Sequence, residues 1–358
     1  MVLRWKLAAT EEDDALFPDE RAATRHVGKG AYNGMEFLHV NARTIINTVP
    51  LESPMPFRHT INPYRGCSHA CVYCFARPTH DYLGLGIGTD FERKIVVKVN
   101  AIERLRAELR APAWDGDHIA MGTNTDPYQH AEGKYHLTRG IVETLSGARN
   151  PFSILTKSTL ILRDAAVLAA ASERTEVGVS FSIGTLDRSV WKLTEPGTPP
   201  PDRRVEALRR LTDMGIACGV LIAPVLPGLS DSEAQLTEVV EACAEAGAES
   251  ISGLALHLRG TVRGHYFDWL GRERPDLVGL HRERFRRGAY QQDDERQRIE
   301  GIVKVAARRC GVTGRNRYRG TSPAGADAGS GGGGGTQAGS DTGPGGKGNA
   351  DGQQLRLL

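Results

Sequence analysis

The chain has 358 residues, 40% of them hydrophobic, enough for one large core or two small ones. Its 45 basic and 43 acidic residues leave a net charge of +2, so bulk charge demands neither nucleic acid nor a membrane surface as partner. Six cysteines are sparse for a disulfide scaffold, the opening MVLRWKLAATEEDD holds no apolar run long enough for a signal peptide, and no stretch approaches the roughly 18 apolar residues of a membrane span. These features predict a cytoplasmic chain with no membrane partner, in which thiols stay reduced.

Residues 1–57 read as an N-terminal extension. From residue 58 to 257 short β-rich runs alternate with helical patterns: Arg58–Tyr64, Ile95–Val99, His118–Gly122, Phe152–Thr156, Val177–Ile183, Ala217–Ala223 and Ser250–Leu256. Asn100 is expected to cap a helix over 101–110, Asp202 one over 203–214, with Val205, Leu208 and Leu211 on one face, and Asp231 or Ser232 one over 232–247. Such alternation predicts an α/β fold, a parallel sheet with right-handed crossovers curled into an open or complete barrel. Sites on such barrels lie at the carboxyl ends of the strands.

Residues 258–320 form an arginine-rich helical extension with Tyr266, Trp269 and Phe285 interleaved. That mixture suits phosphates and stacked bases, but Asp268, Glu273, Asp276 and Glu283 make a solvated helical face an equally physical reading. From Thr321 onward Gly, Ser, Ala, Asp and Thr dominate, which predicts a flexible tail over 321–358.

Three cysteines fall in one short stretch, Cys67-Ser-His-Ala-Cys71-Val-Tyr-Cys74. Three thiolates on one loop can hold three irons of a cubane iron–sulfur cluster and leave the fourth iron open to a small molecule. Zinc, with His69 or His80 as a fourth ligand, is the alternative, although structural zinc usually draws on two separated cysteine pairs. The loop follows the first strand and so stands at the expected active end. Small or polar groups follow the later strands too: Gly122-Thr-Asn-Thr-Asp-Pro-Tyr-Gln129, Lys157-Ser158, Ser180-Phe-Ser182, Glu195-Pro-Gly-Thr198 and Ala223-Pro-Val-Leu-Pro-Gly228.

This order, headed by INPYRGCSHACVYCFAR, resembles the branch of radical S-adenosylmethionine (SAM) proteins related to spore photoproduct lyase, the DNA repair photolyase-like group, over residues 58–256. The resemblance implies a partial (β/α)6-type barrel and a 4Fe-4S cluster on Cys67, Cys71 and Cys74. It implies SAM on the open iron, cleaved reductively to a 5′-deoxyadenosyl radical with electrons from a protein such as flavodoxin or ferredoxin. Gly122 and Thr123 would lie near the SAM amino group, Lys157 and Ser182 would contact SAM, and Ser180 would be a neighbour. A lysine can neutralise the methionyl carboxylate, and a serine hydroxyl can bond to it or to the ribose. One departure stands out. The lyase carries a cysteine hydrogen-atom donor after the second strand, where this chain reads MGTNTDPYQ. Cys218, Cys243 and Cys310 read as small core residues, and Tyr64, Tyr73, Tyr82 and Tyr128 lie near the expected site.

The terminal Gln354-Leu355-Arg356-Leu357-Leu358 resembles the peptide by which bacterial repair proteins dock on the DNA sliding clamp; a frayed apolar end is the other reading. The expected function is therefore a radical SAM enzyme acting on nucleic acid. An enzyme acting on protein, tRNA or a small molecule, and a non-catalytic iron–sulfur protein bound to DNA or the clamp, are the alternatives.

Overall fold

The computed structural model describes residues 24–53 and 55–314, and the expectations for 321–358, the clamp-type peptide included, lie outside them. Among the described residues the strands are β1 (Thr24–Val27), β2 (Glu36–Val40), β3 (Ile46–Thr48), β4 (His59–Ile61), β5 (Tyr64–Arg65), β6 (Lys94–Lys98), β7 (Ile119–Met121), β8 (Phe152–Thr156), β9 (Val177–Ser182), β10 (Cys218–Val225) and β11 (Ser250–Ala255). The larger sheet has the order β11-β10-β9-β8-β7-β4-β3. Six of its strands, β4 and β7 to β11, run parallel in sequence order, and β3 adds an antiparallel edge. This is the α/β architecture expected of a partial barrel, with the sheet left open between β3 and β11.

Parallel strands covered on both faces read as near-continuous apolar runs, and every residue of β9 is buried. The core joins Ile119, Met121, Ile154, Val179, Phe181, Val220 and Ile222 from the strands to Leu208, Leu211, Leu236 and Val240 from the covering helices. Each such side chain contributes about 1.5–3 kcal/mol on burial. The last helix, Asp293–Arg309, lies on β11, where a Cβ at Gly253 would sit 3.0 Å from Val303 Cγ2.

Four local expectations are corrected. Ile95–Val99 does form a strand, β6, but it joins a second sheet of order β1-β2-β6-β5 and not the barrel. Arg58–Tyr64 is not one strand: β4 ends at Ile61, Asn62 and Pro63 intervene, and Tyr64 pairs with Val97 in the second sheet. Proline offers no N–H for a ladder, so the break falls where the chain changes sheets. Asn100 precedes its helix, but its side chain reaches back to the backbone of Ala42 (2.8 and 3.0 Å) and makes no cap bond. Asp202 is not a cap either, because the helix begins at Pro201 and Asp202 pairs with Arg188. Of the two candidates for the later helix, Ser232 closes a capping box with Gln235.

Candidate functional site

The loop from Gly66 to Ala76 crosses the carboxyl end of β4. Its start is gripped by Gln129, whose Nε2 donates to Gly66 O (2.9 Å) and whose Oε1 accepts from Ser68 N (3.1 Å). Its middle rests on the segment after the helix Arg188–Thr194: Val72 N donates to Thr194 O, and Gly197 N donates to His69 O, at 3.0 and 3.1 Å. A Cβ at Gly197 would stand 2.1 Å from Ser68 O, so only glycine permits this approach. Beneath the loop Arg77 is fully buried. It donates to Cys71 O, Ala70 O, Ile87 O and Gly88 O at 2.9–3.3 Å and to Glu92 at 2.7 Å.

Cys67, Cys71 and Cys74 line one cavity of about 190 Å³ with Gly122, Thr123, Lys157 and Ser182. Four strand ends supply these groups. Gly122 has φ +94°, and a Cβ there would fall 2.1 Å from Leu155 O, which fits the tight departure from β7. Thr123 is fixed by Asn62, with the two side chains exchanging bonds at 3.1 and 3.2 Å. Lys157 Nζ has three protons and donates to three acceptors: Ser182 Oγ (2.7 Å), Glu195 Oε1 (2.9 Å) and Ala223 O (3.3 Å). Ser180 is placed differently: it is buried deeper on β9 beside Gly219 and does not line the cavity.

The structure adds two carboxylates that the candidate residues did not include. Glu195, inside the EPGT segment, accepts from Lys157, from the Tyr73 hydroxyl and from Arg204. Burial alone would raise its pKa, but Arg204 and Lys157 override that and hold the carboxyl well below the usual range. Asp126 accepts from Lys157 N (2.7 Å), Thr156 Oγ1 (2.7 Å) and Tyr128 N (2.9 Å), with His69 Nδ1 3.3 Å away. Against the burial that opposes ionisation, His69, Lys157 N and Thr156 Oγ1 lower its pKa. Both carboxylates sit within quoted segments; what marks them is their partners, which come from distant parts of the chain.

Several expected neighbours fall elsewhere. Of the four tyrosines only Tyr73 lines the cavity; Tyr64 donates to Glu132, Tyr128 packs in the main core, and Tyr82 is exposed. Cys218 and Cys243 are core residues as expected, whereas Cys310 is exposed at the end of its helix. Tyr266, Trp269 and Phe285 are buried together, so the arginine-rich extension cannot offer them as stacking surfaces.

The donor set fits an iron–sulfur cluster. Burial, and then the neighbouring Glu195, pushes the Cys71 thiol up to about 12, and burial likewise raises Cys67 and Cys74. Ionising three such thiols requires a cation among them, which cluster iron supplies. The zinc alternative fares worse: His80 is turned to Lys94 O at 2.8 Å, and His69 faces Asp126. Among the described residues no three His, Cys, Asp or Glu side chains converge to hold a single ion. Ligands to separate irons need not converge.

Fold and site together define an open-barrel α/β enzyme whose three-cysteine loop shares a cavity with polar groups from the strand ends. The Radical SAM superfamily model matches residues 61–247, and the chain belongs to that superfamily. A protein of Mycobacterium tuberculosis is 44% identical over 280 residues, 78% of this chain and 82% of its own length. One of Methanocaldococcus jannaschii is 30% identical over 199 residues, 56% of this chain and 71% of its own. Among solved structures, spore photoproduct lyase complexed with dinucleoside spore photoproduct has a TM-score of 0.58 at 17% identity, covering 76% of this chain and 79% of that one. A lyase variant with bound AdoMet and the same dinucleoside has a TM-score of 0.56 at 18% identity, with the same coverage. These likenesses establish the fold. No helix among the described residues is long and apolar enough to cross a membrane.

Proposed function

We propose that the protein is a radical SAM enzyme that holds a 4Fe-4S cluster on Cys67, Cys71 and Cys74 and modifies or repairs nucleic acid. When bound, the cluster supplies the electron that cleaves SAM to methionine and a 5′-deoxyadenosyl radical, which abstracts a hydrogen atom from the substrate. The observation that carries this reading is the shared cavity, in which the three thiols face Gly122, Thr123, Lys157 and Ser182. Gly122 and Thr123 offer a backbone edge and an ordered hydroxyl to the SAM amino group. The charge of Lys157 favours the methionyl carboxylate, while Ser182 and Glu195 hold the ammonium in place. Asp126, through His69, and Glu195, through Tyr73, hold two points of the cysteine loop and fix its shape before the cofactor arrives.

Thymine-dimer repair by the lyase's own chemistry is not part of the proposal, because no cysteine besides the three lines the cavity among the described residues. A reductant protein such as flavodoxin or ferredoxin completes the reading, and the clamp-type peptide Gln354–Leu358 would raise the local concentration of the enzyme on DNA. Prepared without oxygen, the protein is expected to carry close to four irons per chain, the count a cubane implies. Reduced with dithionite and given SAM, it should form 5′-deoxyadenosine. Iron content unchanged by replacing all three cysteines with Ala, or zinc found in place of iron, overturns the reading.

A further inference from the structure

Beyond the cavity, a file of rings leads outward from the cysteine loop. Phe75, next to Cys74, is 52% exposed. Its ring lies 6.0 Å from His257, the residue that follows Leu256 after β11. His257 stacks in turn on Tyr290, with centroids 5.7 Å apart and planes 23° apart. The Arg259 guanidinium sits 5.8 Å from the Tyr290 ring centre, and Tyr290 is 47% exposed. A backbone bridge between His257 and Tyr290 holds the file together, reinforced by Leu258 N donating to Ala289 O at 2.7 Å. Phe75 and His257 line the cysteine cavity, whereas Tyr290 lines a second surface pocket of about 620 Å³ with Arg287, Arg296 and Gln292. The rings therefore join the reaction cavity to an outer pocket large enough for a nucleotide.

Core packing does not account for this file, because two of its rings keep about half their surface in solvent. A purely apolar groove is also a poor description, because a guanidinium caps the last ring. Arg287 has no ion-pair partner among the described residues, and Asp293 is already paired with Arg296. The pocket lining sets Arg287 and Arg296 against Asp293 and Asp294, and Arg259 adds its guanidinium at the Tyr290 ring. Aromatic faces beside arginines bind single-stranded nucleic acid, the bases stacking on rings and the phosphates following the cations.

We infer that Phe75, His257, Tyr290 and Arg259 form a base-stacking rim that receives an unpaired nucleotide and leads it to the radical cavity. The inference rests on the proposed function but names residues that neither the cysteine motif nor the family match assigns. It also relocates the stacking role, from the buried Tyr266, Trp269 and Phe285 to Phe75 and His257, which precede the arginine-rich extension, and to the exposed Tyr290 within it.

The test is fluorescence anisotropy with full-length, iron-loaded protein and a labelled mixed-sequence oligonucleotide of about 12 nucleotides, as DNA and as RNA. Because it needs neither SAM nor a reductant, its failure reads separately from a failure to form 5′-deoxyadenosine. Binding is expected to weaken with salt. Tyr290→Leu should weaken it roughly 5- to 100-fold, the weight of one base–aromatic stack, while Tyr290→Phe stays close to wild type. Arg259→Gln should reduce the salt slope by about 0.7, the loss of one phosphate contact on a single strand. Iron content and melting temperature confirm that each variant is folded. No binding at low salt, binding that ignores salt, or full affinity in Tyr290→Leu overturns the inference.

Discussion

Replacing Glu195 by Gln tests the network that backs the cysteine loop. The substitution keeps shape and volume, so no cavity opens, but it removes the one negative charge shared by Lys157 and Arg204. The carboxyl stays ionised through the working pH range, held down by both cations against its burial, so the whole charge is lost. Arg204 is then left with its side chain 1% exposed and Lys157 with its side chain 14% exposed, and water screens neither well. Coulomb attraction near 4 Å is about 4 kcal/mol at an effective dielectric of 20. Stranding a buried charge costs about 3–5 kcal/mol, a large share of the roughly 5–15 kcal/mol that holds a domain folded. At about 2–4 °C per kcal/mol, the melting temperature should fall by roughly 6–20 °C. Tyr73 loses its charged acceptor at the same time, so the loop loosens and iron per chain should drop. Calorimetry and iron analysis read the two effects. Adding Arg204→Met should restore part of the lost stability, because the stranded guanidinium is gone. A melting temperature within about 2 °C of wild type, with iron retained, would refute the network as the support of the loop.

Three further outcomes follow from the same geometry. Lys157→Met should raise the dissociation constant for SAM roughly 5- to 100-fold by removing a charge-assisted contact, with iron retained; calorimetric titration measures it, and unchanged affinity removes Lys157 from the cofactor site. Arg77→Met strips donors from four backbone carbonyls and from Glu92, so both iron content and thermal stability should fall, and Arg77→Lys should not rescue them because an ammonium cannot span the same acceptors. Iron bound normally in both variants would refute that role. Burial lowers the His118 pKa to about 4, and neither ring nitrogen has a hydrogen-bond partner. The neutral ring's contribution is complete above the unfolded value near 6.5 and is lost as pH falls toward 4, about 2 kcal/mol at pH 5 relative to pH 8. Denaturant titrations should show His118→Leu less sensitive by that amount, and equal slopes in the two proteins would refute it.

The chain order of the six parallel strands, and the position of the three cysteines after the first of those six, could be read from the sequence alone. Both are local signals: a strand covered on both faces reads as a short apolar run, and ligand spacing is a property of one short loop. The same signals could not say which strands pair. The Ile95–Val99 run looks like any barrel strand, yet β6 lies between β2 and β5 in the second sheet, paired with residues far earlier in the chain. Burial was equally hidden. Tyr266 and Tyr290 are both aromatics in an arginine-rich stretch, but Tyr266 packs under a helix while Tyr290 stands at the rim. The Glu195 cluster is the sharpest case. Its partners lie 122 residues upstream at Tyr73, 38 upstream at Lys157 and 9 downstream at Arg204, so no window of sequence contains it. A buried charge is stable only where opposite charges and donors converge in space, and only the closed tertiary fold makes them converge.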